Sequence, residues 1–268
     1  MKYLKTVSHL LQIVMTPLRS NWAFFTFIYL LGCICAWVTL PDARGAKLYD
    51  NLYPELFLDV YVLATILTIL PRRVKPWIRG FFYFVLYTAA VVDVYCFVKF
   101  QSTLTPTMLL LVGETDSREA GEFIRSCVSP DILMSGVGWV LLLMAVHILT
   151  AIKLRFPHFV PRNWCRLVRS ILVQSRFFLH RVRHVTEFAV LVLLVFSIVM
   201  SAHNKAATLK LMTGKTIGDV EHTLTEKDHA VLYQPIYRLA FSIYANTLTA
   251  KQVDKLIATA DKVRVDSC

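Results

Sequence analysis

The sequence predicts an all-α polytopic membrane protein, with five transmembrane helices, interfacial helices and a short helical tail on the outer side. Hydrophobic residues make up 56% of the 268 residues and mean hydropathy is +0.54, whereas ordinary soluble domains hold roughly 45–50% apolar residues. Five apolar stretches approach the roughly 20 residues that a bilayer core requires of a helix. Lys and Arg, 29 against 18 Asp and Glu, gather in alternate loops, the distribution that fixes orientation in a membrane. A net charge of +11 on so apolar a chain points to a membrane rather than to nucleic acid. Six scattered cysteines exclude a disulfide-built miniprotein.

The predicted spans lie at about 21–40, 54–70, 77–98, 132–152 and 187–202, which makes 1–202 a five-span domain. The first follows a segment whose Lys2 and Lys5 resemble the charged start of a signal peptide. Bulky Trp37 and poor small-x-small spacing argue against cleavage, so this span is read as retained. The fifth is the shortest, but 188–200 carries no charge.

Orientation follows from the loops. Segments 1–20, 71–79 and 153–185 hold fifteen Lys and Arg and no acidic residue, whereas 41–53 and 99–131 hold five basic and seven acidic ones. The N-terminus is therefore predicted to be cytoplasmic, and an odd number of spans puts 203–268 outside. Within 153–185, Trp164, Leu167, Ile171 and Leu172 alternate with Arg162, Arg166, Arg169 and Arg176 at near-helical spacing. That pattern predicts a helix on the inner leaflet, serving as a topology anchor or recognising anionic lipid.

The tail differs in character. Residues 203–225 are polar and Thr-rich, with Gly214 and Gly218 loosening the backbone. From 228 to 247, Leu232, Ile236, Leu239, Ala240 and Ile243 share one face, which predicts an amphipathic helix despite Pro235. Residues 250–263 predict a second short helix. The tail is small for an independent core.

The candidate site lies between the third and fourth spans. Pro106 breaks the chain there, and from Thr107 onward the spacing predicts a helix whose second half gathers Glu114, Asp116, Glu119 and Glu122. Thr115 and Glu119 are four apart and face the same way, with Glu122 three further on. Such a polar stripe suits a cationic headgroup, because carboxylates accept charge-assisted hydrogen bonds from an ammonium. As a charge run it also fits a plain solvated helix face.

The run ETDSREAGEF, placed after a third span and before a fourth, resembles the E-T-N-x-x-E-A-x-E-like signature of bacterial phosphoethanolamine transferases, members of the alkaline-phosphatase (sulfatase) superfamily. The resemblance extends to the layout of that family's N-terminal half: five spans, a cytoplasmic N-terminus, a basic loop before the fifth span and a periplasmic linker, here containing QPIYRLAFSIYAN. It implies an inner-membrane protein with a periplasmic C-terminus, and phosphatidylethanolamine and the membrane as partners. The headgroup-contacting Thr and Glu fall on Thr115 and Glu119, within the stripe that also holds Glu114 and Glu122; a family Asn four residues before the Thr is Leu111 here.

In that family the chemistry resides in a periplasmic domain, where a Thr nucleophile beside zinc takes phosphoethanolamine from phosphatidylethanolamine and passes it to lipid A or a similar sugar. The chain stops at Val265-Asp266-Ser267-Cys268, about where that domain's first strand would begin. No catalytic residue, metal ligand or cofactor is thus expected within it, zinc belongs to the missing domain, and the chain alone is expected to be inactive. The run LLLVGET at 109–115 mimics that domain's strand ending in a zinc-binding Glu, but the fourth span follows and leaves no room for a nucleophile loop.

Asp93 lies inside the third span near its outer end, and an intramembrane carboxylate is a functional candidate because burying it is expensive. Structural and functional roles for it both stay open. His180 and His184 stand at i, i+4, but flanking Arg181 and Arg183 repel a cation; His222 and His229 lack zinc spacing. Cys33 and Cys35 read as small apolar groups in a span, while Cys127 and Cys268 both fall on the predicted oxidising side, where a bridge is chemically allowed. The alternative function is a small transporter or sensor using Asp93 and the acidic stripe, against which the spans show no internal repeat.

Overall fold

The computed structural model describes residues 2–39, 52–109, 121–122, 130–155, 183–212 and 234–266, and among these all regular structure is helical. The order is α1 (Lys2–Ser20), α2 (Trp22–Thr39), α3 (Leu52–Ile69), α4 (Lys75–Phe100), α5 (Pro130–Leu133), α6 (Gly136–Arg155), α7 (Arg183–Met212) and α8 (Pro235–Asp266). By length and composition four helical segments can cross a membrane: Trp22–Thr39, Leu52–Ile69, Lys75–Phe100 and Val185–His203. They match four predicted spans to within a few residues. The remaining predicted span, 132–152, coincides with α6, whose apolar part, Gly136–Ile152, is shorter. The predicted inner-leaflet helix at 153–185 lies largely outside the described residues.

The start of α6 has a local cause. Ser135 accepts the Val137 N–H on its hydroxyl oxygen at 3.3 Å, which satisfies one of the free amides of the first helical turn. Gly138 allows the tight approach from α5, because a Cβ there would run into the Leu133 carbonyl oxygen. A Cβ on Gly136 would meet the Val38 side chain.

The chain divides into two compact units. The first takes Met1–Cys33, Asn51–Phe84 and Val140–His203. Here α1 packs along α3. Tyr61 donates its hydroxyl to the Val14 carbonyl at 2.9 Å, and the Asn21 amide donates to the Ala64 carbonyl at 3.0 Å and to the Thr68 hydroxyl at 2.9 Å. Phe24, Leu56, Val60, Leu67 and Val140 form the buried centre. His147 of α6 stacks on Phe27 at 4.3 Å between centroids and meets Tyr83 edge-on at 4.4 Å. Large apolar side chains such as Ile69, Trp77 and Phe84 point outward, as lipid-facing residues do when lipid tails are as apolar as the side chain.

The second unit takes Ile34–Asp50, Val85–Trp139 and Asn204–Cys268. Its core contains Cys35, Ala90, Val94, Leu104 and Ala245, and small residues here let helix backbones approach closely. The tail departs from its predicted form in two ways. Instead of two helices at 228–247 and 250–263, one helix runs from Pro235 to Asp266, while 228–233 lie outside the described residues. Pro235 opens this helix, the position at which its missing N–H costs nothing. Across 247–250 the Thr247 and Thr249 hydroxyls donate back to the Tyr244 and Ala245 carbonyls at 2.7 and 3.1 Å, so both side chains are satisfied within the helix without breaking it. The predicted apolar face of Ile236, Leu239, Ala240 and Ile243 is not the packed one: Ile243 is exposed, and Pro235, Arg238, Phe241, Ser242 and Ala245 are buried instead.

Candidate functional site

The polar centre of the second unit forms around Asp93, at 0% exposure on α4. A bare carboxylate there would be costly, and it is compensated on both oxygens. Arg238 of α8, itself 4% exposed, donates to Oδ2, and the backbone N–H of Leu104 donates to Oδ1 at 3.1 Å. Leu104 reaches back because α4 closes with Gln101 in the left-handed conformation, φ 55°, which turns the chain after the helix. The second Arg238 nitrogen donates to the Thr39 hydroxyl at 3.2 Å, and that hydroxyl donates to the Cys35 carbonyl at 2.7 Å. Thr39 thus acts as donor and acceptor at once, which fixes its rotamer.

Further along the same broad face of α8, Asn246 donates its amide to the Pro106 carbonyl at 3.1 Å. Between the two, the Ser242 hydroxyl is fully buried and has no hydrogen-bond partner among the described residues. Lys205 lies 5.6 Å from the centroid of the Tyr237 ring, a cation–π contact.

The first unit carries a separate set of polar groups. Glu55 of α3 is 1% exposed, and Ser201 of α7 donates to it at 3.5 Å. Ser197, one turn before Ser201, is buried, its hydroxyl without a hydrogen-bond partner among the described residues. Arg19 and Glu187 form an ion pair at 2.5 Å, with Glu187 buried and Arg19 about half exposed.

Of the residues expected to form the headgroup site, Glu114, Thr115 and Glu119 lie outside the described residues, and Glu122 is an exposed helical residue. Side chains of His180, His184, His222, His229, Cys127 and Cys268 also lie outside them, while Cys33 is half-buried and Cys35 and Cys96 are buried. Asp93 is where the sequence suggested, deep in an apolar helix. Its partner Arg238 was missed, as were Glu55, Glu187 and His147. For Glu55, Glu187 and His147 the available signal was an ionisable residue inside or beside an apolar stretch.

The class that this fold defines is an all-helical protein with several helices long and apolar enough to cross a membrane. Comparison with known protein families, with curated proteins and with solved structures finds no match to the chain.

Proposed function

We propose that this chain is the membrane domain of a phosphoethanolamine-transferase-like protein of the bacterial inner membrane. It anchors a periplasmic, zinc-dependent catalytic domain and presents phosphatidylethanolamine to it, for transfer to lipid A or a similar envelope glycolipid. All five apolar helices cross the bilayer, with the N-terminus cytoplasmic and α8 periplasmic. Thr115 and Glu119, with Glu114 and Glu122, hold the ethanolamine headgroup.

The observation that carries this function is the buried attachment of α8 through Arg238 and Asp93. A presenting domain must hold its lipid at a reproducible distance from the chemistry, and an ion pair at the base of the helix leading onward supplies such an attachment. The rival function, a small transporter or sensor built on Asp93, gains from the buried Glu55 and Ser201.

The test is a lipid titration of the full chain, comparing phosphatidylethanolamine with phosphatidylglycerol. Glu119→Gln should weaken ethanolamine-lipid binding by roughly tenfold to a hundredfold, the equivalent of about 1.5–3 kcal/mol for one charge-assisted bond. Asp116→Asn, about 100° around a helix from Thr115 and about 60° from Glu119, should do less. Equal losses at the two positions, or no preference for ethanolamine in the wild type, would sink the headgroup site.

A further inference from the structure

The turn between α3 and α4 gathers positive charge within the first unit. Pro71 starts it: its carbonyl accepts the N–H groups of Val74 and Lys75, both at 3.0 Å, which closes residues 71–74 into a tight turn. Arg72 and Arg73 are exposed on that turn, and Lys75 and Arg79 follow one helical turn apart on the same side of α4. Lys75 reaches across to the end of α1, where its ammonium donates to the Ser20 hydroxyl at 3.3 Å.

This charge is unmatched. None of Arg72, Arg73, Lys75 and Arg79 has a carboxylate partner among the described residues, whereas Arg19, next to Ser20, is paired with Glu187. The Arg79 guanidinium stands close enough for its charge to act on Lys75, so the two cations repel and an anion bound by both removes that repulsion. Ser20 accepts from Lys75 on an oxygen lone pair, which leaves its own O–H to donate. An ammonium, a guanidinium and a hydroxyl together suit the several oxygens of a phosphate.

Depth decides what kind of phosphate. Trp77 lies two residues beyond Lys75, about 3 Å along the helix axis, and is 82% exposed; Ile69 before the turn and Phe81 and Phe84 after it are exposed as well. In a membrane protein an open tryptophan beside apolar side chains marks the level of the lipid headgroups. Lys75 and Arg79 bracket Trp77 in sequence and so stand at that level, where phosphates form a layer. We propose that Lys75, Arg79 and Ser20 bind the phosphate of an anionic phospholipid, of which phosphatidylglycerol is the simplest, with Arg72 and Arg73 adding attraction over a longer range. The site uses none of the residues assigned above to the ethanolamine headgroup, so the two stand or fall separately.

The experiment takes the full chain in a neutral detergent and titrates it with phosphatidylglycerol or phosphatidylcholine, counting bound lipid by native mass spectrometry. Each Lys or Arg at a membrane surface contributes about fivefold in affinity, so two contacting cations should favour phosphatidylglycerol by roughly 25-fold. Lys75→Gln and Arg79→Gln should each remove about fivefold of this preference, and Lys75→Arg should keep most of it. Lys255→Gln, the same loss of charge at an exposed position of α8, should change nothing. Glycerol phosphate, the headgroup without its chains, should fail to displace the lipid at equal concentration. No preference for phosphatidylglycerol in the wild type, or an equal loss in Lys255→Gln, would overturn the site; displacement by glycerol phosphate would overturn it by showing a soluble anion as the occupant. Binding of phosphatidylethanolamine should be unaltered in Lys75→Gln and Arg79→Gln, and a parallel loss there would overturn the assignment to anionic lipid. A chain that prefers phosphatidylglycerol over phosphatidylcholine but binds no ethanolamine lipid selectively would keep this site and lose the headgroup one.

Discussion

Arg238 and Asp93 stand 145 residues apart in the chain and form an ion pair in which neither side chain reaches solvent. Removing one partner of such a pair leaves a charge without compensation, at a cost of about 3–5 kcal/mol. The two losses differ in kind. A carboxylate left alone can take up a proton, whereas a guanidinium cannot release one. Asp93→Ala should therefore destabilise the protein more than Arg238→Met, and the exchange Asp93→Arg with Arg238→Asp should recover part of either loss. Unfolding in detergent, followed by helical signal, measures all three. A larger loss for Arg238→Met would show that the pair is held for another reason.

The junction of α1 and α2 gives a second expectation. The Asn21 amide binds α3 twice, yet its Oδ1 is buried with no partner among the described residues. Thr68 also donates to the Ala64 carbonyl, at 2.8 Å, so that carbonyl stays satisfied without Asn21. Asn21→Leu should accordingly cost only about 0.6–1.5 kcal/mol, the range of one interhelical hydrogen bond in a membrane. Asn21→Asp keeps the shape but turns a carboxylate toward a carbonyl, and should cost more. Equal melting shifts for the two would show that the amide donor is unimportant.

Two substitutions separate the cap of α6 from its packing. Ser135→Ala removes the oxygen that accepts the Val137 N–H and should cost about 0.5–2 kcal/mol. Gly138→Ala leaves the cap intact but drives a methyl group into the Leu133 carbonyl, so α5 must move. The expected order is Gly138→Ala well below Ser135→Ala in thermal stability, and the reverse order would contradict the tight approach.

Membrane orientation is testable independently of lipid chemistry. Reporter fusions should place residues 75 and 170 in the cytoplasm and residues 120 and 240 outside. External labelling of a cysteine at 170 would overturn the proposed five-span arrangement, and with it the proposed periplasmic position of α8.

Helices α2, α3, α4 and α7 were legible because each carries a run of apolar residues long enough to cross a bilayer, a property read within one window. Helix α1 was harder, because Lys2 and Lys5 drew attention to its charged start while Met15 and Pro17 became buried. On α8 the apolar pattern pointed to the wrong face. Arg238 and Ser242 look like surface residues in their own sequence, and Arg238 is buried because Asp93, on another helix, supplies its counter-charge. Asp93 could be singled out since it interrupts an apolar run; its partner could not, since nothing local to residue 238 names residue 93.

The continuity of α8 has a mechanical consequence. Unbroken from Pro235 to Asp266, α8 makes a lever whose packed fulcrum ends near Ala245 and whose arm, exposed at Lys251 and Leu256, continues to Asp266. At 1.5 Å per residue that arm is about 30 Å long, so a tilt of about 10° at the Arg238 end carries its far end roughly 5 Å. A shift too small to break the bond at Asn246 is thereby magnified into a displacement the width of a lipid headgroup.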